Sequence, residues 1–416
     1  MMEISRNKQV IAISVGVLVT FWASSIKGSY QVYFLDLASM CGLGRGVFSL
    51  TSALFGLSIG VLSPVVGWIC DRIGPALTIL SGAIVATFVY LLMMLSFNFW
   101  LFLVLFGVLA AYALTAMTFV PLALLVDRIF DHQNKGMAYA AITNGTAIGF
   151  MVLSPFWVWL NTFLTWQDVS LIIFGVFTLV ILPACIWLCG VFPRRAFVSE
   201  ATPDATEDDL KWHQHLRKPL FLLLALSFGG CGASMAYIDV HLVPMLQERF
   251  TEGEGGATIV ASSLSVLGAA ELIGAFVVGY LLRFSAPALM LALLYAVRGA
   301  SLLIVLAADN FILCMIFAVL FGLTYMGTVI VTSLMCLKAY GEKVKGKIFG
   351  CLFTVHQIFV FGTVWLGGLS YDATQSYTLI TVAVTGLCFV SVATGLVFYF
   401  SDALKEKPQS QMASSS

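Results

Sequence analysis

Charged residues are scarce in this 416-residue chain. Asp, Glu, Lys and Arg together make up 10% of it, whereas soluble domains carry about 25%. Hydrophobic residues make up 60% of the chain. A water-soluble fold of this length could not bury so many apolar residues in its core, and much of their surface would stay in contact with water. These proportions exclude a soluble domain and indicate a protein that crosses the membrane several times.

Signals of metal, cofactor and nucleic-acid binding are also lacking. The nine cysteines show no paired spacing and no Cys-x-x-Cys, so we expect neither a disulfide framework nor a metal site. The formal net charge is zero, which gives no reason to expect a nucleic-acid partner. The sequence contains no phosphate-binding P-loop and no catalytic constellation. We therefore expect neither ATP-driven pumping nor an enzyme, and no cofactor.

Apolar segments of about 20 residues, the length that crosses the hydrocarbon core, recur along the whole chain. Polar residues, glycine or proline divide them into twelve predicted transmembrane helices: 9–35, 47–70, 75–96, 99–126, 136–161, 168–192, 218–247, 257–282, 286–308, 310–337, 346–370 and 376–400. The one long polar insert follows the sixth helix. The predicted fold is an all-α membrane protein in two pseudo-symmetric parts: an N-terminal six-helix bundle (1–192), a cytoplasmic linker (193–217), a C-terminal six-helix bundle (218–400) and a cytoplasmic tail (401–416).

Lysine and arginine are unevenly divided between the two sets of loops. With the N-terminus in the cytoplasm, most of them fall on the cytoplasmic side, and the opposite loops hold only Arg45 and Arg249. Membrane proteins keep an excess of these residues on the cytoplasmic side. We therefore expect a multi-pass protein with both termini in the cytoplasm, located in the plasma (inner) membrane if the source is bacterial.

Two loops, one in each half of the chain, are similar in sequence. GWICDRIGPAL begins at Gly67 and GYLLRFSAPAL begins at Gly279, and in both the glycine, the proline and the Ala-Leu pair align. Each loop follows the second predicted helix of its half. The similarity indicates a duplicated six-helix unit, a design in which transporters place a substrate site between the two halves near the middle of the membrane.

The stretch GWICDRIGPALTIL resembles the G-x-x-x-D-R-x-G loop motif of the major facilitator superfamily, at Gly67, Asp71, Arg72 and Gly74. The segments GSYQVYF, HLVPML and GGLSYDATQSYT resemble the branch of monocarboxylate porters and oxalate/formate antiporters. The arginine that many symporters of the superfamily carry in helix 4 is absent from 99–126. The resemblance implies two six-helix bundles and a secondary transporter, and we expect a monomer.

The charged loop after helix 2 has a predicted role in gating. Its aspartate can interact with the dipole of a neighbouring helix and its arginine with carboxylates of adjacent helices. Such contacts would hold the cytoplasmic ends of the helices together in one conformation. We expect gating by Gly67, Asp71, Arg72, Gly74 and, in the second copy of the loop, Arg283. A plain positively charged loop is the alternative.

Ionisable residues inside membrane helices are rare and usually functional. Lys27 lies in predicted helix 1 beyond the middle of the membrane and shares a helix face with Tyr30. It is predicted to attract a carboxylate, with a lysine that extends to the headgroups as the alternative. Tyr30, Tyr33 and Tyr325 are predicted to shape the cavity.

Helices 7 to 9 carry further candidates. In the repeat Tyr237 aligns with Tyr30, so Tyr237 and His241 are expected on the cavity face of helix 7. Because histidine side chains ordinarily titrate near physiological pH, His241 is predicted to bind substrate or to carry the coupled proton, with a hydrogen-bonded structural histidine as the alternative. Asp239, a second proton-coupling candidate, lies about 200° around the helix from Tyr237 and is expected to face away from the cavity, unless the helix turns at Pro244. Glu271 and Arg298 lie at similar depth and are expected to pair; alternatively, Glu271 accepts the coupled proton and Arg298 binds a substrate carboxylate.

Three polar residues lie near mid-membrane in helices that line the pathway of the resembling family. These are Asn144 in helix 5 and His356 with Gln357 in helix 11, and each is a candidate for substrate binding. Together the candidates predict a secondary transporter that moves a small organic anion by alternating access, coupled to protons. The alternatives are a permease for a siderophore or another larger aromatic ligand, a drug or metabolite exporter of the same fold, and a nontransporting sensor.

Overall fold

The computed structural model describes residues 6–95, 98–130, 135–192, 212–250 and 255–401. These residues form helices and short connections, and no strand occurs among them. The predicted linker lies outside the described residues except for its end, where Trp212–Arg217 form a short 3-10 helix. The predicted tail lies outside them except for Ser401.

Twelve helical segments are long and apolar enough to cross a membrane, which confirms the predicted number of spans. In chain order they are α1 (Arg6–Val32), α2 (Arg45–Ile73), α3 (Pro75–Leu95), α4 (Phe99–Asp127), α5 (Met137–Asn161), α6 (Trp166–Val191), α7 (Pro219–Arg249), α8 (Gly256–Leu281), α9 (Pro287–Ala307), α10 (Phe311–Gly341), α11 (Val344–Thr374) and α12 (Thr378–Phe400). Many large apolar side chains on their outer faces are exposed, as expected of helices that contact lipid.

The N-terminal half, α1–α6, and the C-terminal half, α7–α12, meet mainly where α2 packs on α11 and α5 packs on α8. Glycines permit the close approach. A Cβ atom at Gly56 or Gly60 of α2 would collide with Val360 or Gln357 of α11, and one at Gly268 of α8 would press on Met151 of α5. Small residues at such contacts let membrane helices approach to backbone distance. A cavity lies at this junction.

Three of the helices that surround the cavity are interrupted. The helical hydrogen bonding of α1 changes at Ser24, between Arg6–Ala23 and Ser25–Val32. A π-helical turn, Leu105–Ala110, lies inside α4. The helix α10 is divided at Met326, between Phe311–Tyr325 and the segment that starts at Gly327. Such interruptions change the direction in which nearby side chains point, and they are frequent at functional sites.

Candidate functional site

A cavity of about 90 Å³ lies between the two halves, and its wall contains one cation among the residues described. Helices α1, α2 and α4 of the N-terminal half contribute to the lining, as do α7 and α11 of the C-terminal half. The polar lining residues are Lys27, Ser52, Asp239, His356 and Gln357, and the apolar ones include Tyr30, Phe55, Ile59, Phe106, Met235, Val240, Val360 and Val364. A mainly apolar cavity with a few polar groups is the usual form of a small-molecule site.

Lys27 and Asp239 form an ion pair across the cavity, joining α1 to α7. Lys27 Nζ lies 3.0 Å from Asp239 Oδ2, and the Tyr325 hydroxyl donates a hydrogen bond to Asp239 Oδ1 at 2.7 Å. The prediction that Asp239 faces away from the cavity is wrong. The repeat suggested that the Tyr237 face of α7 lines the cavity, but Tyr237 is buried against Thr381 of α12, and the opposite face, with Asp239, is turned to α1.

The pair is held between two further contacts of α1 with α7. Gln31 donates to the carbonyl of Ile238 at 3.1 Å, and Gln247 donates to the carbonyl of Val32 at 3.2 Å. The side chain of Lys27 is nevertheless 44% exposed and that of Asp239 is 20% exposed. Both charged groups therefore remain accessible from the cavity although they lie between two helices.

Three aromatic rings stack along the N-terminal side of the cavity. The Tyr30 and Phe106 rings lie 4.1 Å apart between centroids with 12° between their planes, and Phe55 lies 4.8 Å from Phe106 at 18°. The Tyr30 hydroxyl is paired with Thr51 at 2.7 Å. The π-helical turn of α4 carries Phe106 into this stack. The sequence analysis identified Tyr30 but not the two phenylalanines, because nothing in a helix this apolar distinguishes a cavity-facing ring from a lipid-facing one.

The expected pair of Glu271 with Arg298 is not formed. Arg298 is fully buried and donates to Thr324 Oγ1, Ser234 Oγ and Thr328 Oγ1 and to the carbonyls of Thr324 and Tyr325, so its hydrogen-bond partners are neutral. The interruption of α10 explains the difference. The first segment of α10 ends at Tyr325, and the guanidinium donates to its last two carbonyls, those of Thr324 and Tyr325.

Glu271 and Arg298 both lie behind the cavity wall. Glu271 is partly buried on α8, where the nearby charges are those of Asp239 and Lys27. Arg298 binds the carbonyl of Tyr325, whose hydroxyl in turn holds Asp239. Arg298 therefore reaches the Lys27–Asp239 pair through Tyr325 rather than by direct contact.

Removal of the Arg298 side chain is expected to destabilise the fold. Arg298→Ala leaves the carbonyls at the end of the first α10 segment unpaired and opens a void, and we expect it to lower the free energy of unfolding by about 2–4 kcal/mol. Arg283→Ala is the matched control, because Arg283 is exposed and only approaches the Tyr280 ring, at 5.8 Å. Thermal unfolding in detergent measures both variants. Equal melting temperatures would contradict the assigned role of Arg298.

The other predicted binding residues divide into two groups. His356 and Gln357 line the cavity. His241, Tyr33 and Asn144 do not belong to its described lining. His241 is buried, with Nε2 2.9 Å from the carbonyl of Val364 and its ring against Phe34 and Tyr377. The Tyr33 hydroxyl donates to the carbonyl of Leu164, and Asn144 lies partly buried on α5.

Four of the predicted gate residues lie at or near the end of α2, far along the helix from Arg45, and the fifth, Arg283, follows the end of α8. Gly74 ends α2 with φ 87°, a conformation that favours glycine, and Gly67 lies next to Val120 of α4. Asp71 and Arg72 are exposed, and the Arg72 guanidinium lies 4.0 Å from the centroid of the Trp68 ring. Within the described part of the chain, neither Asp71 nor Arg72 forms an ion pair.

A second charged contact between the halves, besides the Lys27–Asp239 pair, occurs at the opposite end of α2. Arg45 forms an ion pair with Glu248 of α7, donates to the Tyr377 hydroxyl at 2.9 Å and lies 3.6 Å from the centroid of the Tyr371 ring. Asp372 of α11 accepts hydrogen bonds from the backbone N–H groups of Arg45 and Gly46, each at 2.8 Å, and so caps α2. The sequence analysis missed this set of contacts, which we call the Arg45 latch.

Comparisons with known proteins agree with this architecture. The family model described as Major Facilitator Superfamily matches residues 10–363. The chain is 27% identical over 382 residues to the "Uncharacterized MFS-type transporter YcxA" of Bacillus subtilis (strain 168), with 90% of each protein covered. In fold it is similar to a bacterial homolog of the human lysosomal transporter Spinster, solved in an inward-facing and unoccupied conformation, with a TM-score of 0.66, 12% identity and 96% of each chain covered. The chain belongs to the major facilitator superfamily and is a membrane transporter rather than an enzyme.

Proposed function

We propose that the protein is a secondary transporter that moves a small organic anion together with a proton by alternating access. The observation that carries the proposal is the Lys27–Asp239 ion pair, which joins the two halves inside the cavity. A substrate carboxylate can replace Asp239 as the partner of Lys27. Because Lys27 lies on α1 and Asp239 on α7, this exchange of partners also removes a contact between the halves, which links binding to their relative movement.

The balance of charge around the cavity supports coupling to a proton. In the described cavity lining, the positive charge of Lys27 is offset by the negative charge of Asp239. A bound anion adds one negative charge in a poorly hydrated site, which is costly unless a positive charge accompanies it. A proton on Asp239 offsets that charge and also frees Lys27 for the substrate. Glu271, near the same pair, is the second proton acceptor in this scheme.

The remaining predictions belong to the same proposal. Within the superfamily, the proposed relationship is to the branch of monocarboxylate porters. His241 is assigned a structural role, since its ring packs against Tyr377 of the Arg45 latch. The excess of Lys and Arg in one set of loops supports cytoplasmic termini and, in a bacterium, a plasma-membrane location. The apolar lining is the observation that favours the second candidate, a permease or exporter of a larger aromatic ligand.

Uptake into proteoliposomes tests the proposal. The assay measures the uptake of labelled lactate, pyruvate, oxalate, formate and phenylacetate under an inwardly directed proton gradient. We expect at least one of these carboxylates to accumulate. If one proton accompanies one anion, the accumulation is about tenfold for each pH unit of the gradient. Protein-free liposomes correct for diffusion of the undissociated acids. Uptake of a neutral aromatic compound alone, with none of the acids transported, would support the second candidate instead.

Asp239→Asn separates binding from coupling. The variant cannot release or take up a proton at this position, so we expect it to lose pH-driven accumulation while it still exchanges internal for external substrate. Asp36→Asn is the matched control, since Asp36 lies outside the cavity lining and accepts a hydrogen bond from Asn161. Accumulation by Asp239→Asn at the level of Asp36→Asn would show that Asp239 is not the coupling group.

A further inference from the structure

The two sides of the Arg45 latch belong to different halves of the protein. Arg45 lies on α2 of the N-terminal half, and its guanidinium donates to Glu248 Oε2 at 3.0 Å and to the Tyr377 hydroxyl at 2.9 Å. The guanidinium also lies 3.6 Å from the centroid of the Tyr371 ring. These three partners lie on α7, on α11 and between α11 and α12, all in the C-terminal half. When the halves separate at this end, the arginine leaves with one half and its binding groups stay together on the other.

The binding groups hold one another in place without the arginine. The Tyr371 hydroxyl donates to Glu248 Oε1 at 2.8 Å, and the Tyr371 and Tyr377 rings lie 4.8 Å apart between centroids. Tyr377 is buried, and its ring packs against His241 at 5.3 Å. A carboxylate beside two aromatic rings is therefore preformed in the C-terminal half. We call Glu248, Tyr371 and Tyr377 the cation cage.

The cation cage also borders a cavity other than the one beside Lys27. This open vestibule, of about 420 Å³, is lined by all three cage residues, by Arg249 and by polar residues that follow α11. The side chain of Glu248 is 36% exposed, whereas that of Arg45 is 13% exposed. A solute in the vestibule can therefore reach the cage carboxylate without entering the cavity beside Lys27.

The formal charges around the cage indicate which solute it accepts and in which conformation. With the latch closed, Arg45 and Arg249 offset Glu248 and Asp372. Departure of Arg45 leaves two carboxylates with one arginine, because Arg249 stays bound to carbonyls at the end of α9. The vacated cage thus combines a net negative charge with aromatic ring faces, and both attract an organic cation.

We infer that the conformation open at the Arg45 end binds a planar organic cation, a guanidinium or an amidinium, in the cation cage. The ligand takes the position of the Arg45 guanidinium, with paired hydrogen bonds to Glu248 and its plane on the Tyr371 ring. An alkylammonium lacks the planar pair of donors and is a weaker ligand. Because the ligand and Arg45 exclude each other, the ligand favours the open conformation. This site is separate from the Lys27 cavity, so the inference does not depend on the transported substrate.

Binding to the purified Arg45→Gln variant in detergent tests the site, because this substitution leaves the cage without its arginine. The probe is butylguanidinium, and its neutral counterpart butylurea and butylammonium are the comparisons, all at one chloride concentration. Isothermal titration is expected to give a Kd for butylguanidinium at least about tenfold below that for butylurea, since the charged hydrogen bonds are lost in the urea. The Kd for butylammonium is expected to lie between the two. Binding of butylguanidinium no tighter than that of butylurea would overturn the inference.

Further substitutions in the Arg45→Gln background locate the bound cation. Glu248→Gln is expected to raise the Kd for butylguanidinium at least about tenfold, and Tyr371→Leu to raise it about 2- to 5-fold. Asp309→Asn is the matched control and keeps the Kd, since Asp309 is an exposed carboxylate between α9 and α10 that does not belong to the described vestibule lining. A melting temperature shows whether each variant is folded. An unchanged Kd in the folded Glu248→Gln variant contradicts the assigned site.

The link to conformation is measured in a chain that keeps Arg45. Val364→Cys places a thiol in the wall of the cavity beside Lys27, where an impermeant maleimide added from the Arg45 side labels it when that end opens. Butylguanidinium at ten times the Kd of the Arg45→Gln variant is expected to accelerate labelling about tenfold, as long as the open conformation is the minor one. Neither butylurea with Arg45 and Glu248 intact nor butylguanidinium in a Glu248→Gln background is expected to accelerate it. Unchanged labelling by saturating butylguanidinium would mean that the cation and Arg45 do not exclude each other, which contradicts the inference.

Discussion

Replacing Lys27 with Gln is expected to reduce the uptake of carboxylate substrates roughly 10- to 150-fold, since a hydrogen bond to a charged group contributes about 1.5–3 kcal/mol. The substitution removes the one cation of the described cavity lining and leaves Asp239 without its ion-pair partner. Lys27→Arg keeps the charge and is expected to retain part of the activity. Initial rates in proteoliposomes, corrected for the amount of protein inserted, measure the effect.

The control for this prediction is another lysine of the N-terminal half. Lys135 pairs with Asp127 at 3.2 Å and does not belong to the cavity lining, so Lys135→Gln is expected to transport within about twofold of wild type. The double variant Lys27→Gln/Asp239→Asn, which removes both charges, should fold as well as wild type and still fail to take up carboxylates. Recovery of uptake in the double variant would mean that Lys27 only neutralises Asp239 and does not bind substrate.

The membrane spans follow from sequence because the property that defines them is local. About 20 apolar residues in succession suffice to cross the hydrocarbon core, whatever the neighbouring helices are, and the twelve predicted spans agree with the twelve observed. Depth in the membrane is also readable from sequence. For this reason Lys27, assigned beyond the middle of the membrane, and His356 with Gln357, assigned near the middle, can be identified as candidates before the fold is known.

Rotation of a helix about its axis does not follow in the same way. In so apolar a chain both faces of a helix look suitable for burial, so the repeat gave the wrong face of α7, with Tyr237 rather than Asp239 toward the cavity. The expected Glu271–Arg298 pair was wrong for a related reason. The interruption of α10 at Met326 lies beside carbonyl acceptors for Arg298, so the arginine is satisfied without a carboxylate.

The gate residues show a third kind of limit. The loop motif at Asp71 and Arg72 is a strong sequence signal, yet both side chains are exposed in this conformation. The ion pair that joins an end of α2 to the C-terminal half belongs to the Arg45 latch, at the other end of that helix. A transporter that alternates between two conformations holds one end closed at a time. A sequence specifies the contacts of both states, whereas a single structure contains those of one. The sequence contains one indication of the Arg45 latch: Arg45 and Arg249 are the only basic residues in the predicted outer loops.

Loss of the Arg45 latch is expected to open the cavity at that end. Arg45→Gln removes the ion pair with Glu248 and the stacking on Tyr371. The state closed at Arg45 then loses about 1.5–3 kcal/mol, which corresponds to a shift of roughly 10- to 100-fold between the two conformations. A cysteine at Val364, in the cavity wall, reports the change. Its labelling by an impermeant maleimide, added from the Arg45 side and quantified by mass spectrometry at that position, should become at least about tenfold faster.

Arg249→Gln provides the control for this experiment. Arg249 lies at the same end of the bundle and is the same kind of residue, but it donates to the carbonyls of Val305 and Ala308 at 2.7 and 2.6 Å, and all three belong to the C-terminal half. Its loss weakens contacts within that half and leaves the contact between the halves in place. We therefore expect Val364→Cys to be labelled at the wild-type rate in this background. Equal acceleration by Arg45→Gln and Arg249→Gln would mean that the cavity opens through general loosening of the bundle end, and the Arg45 latch would not be the element that closes it.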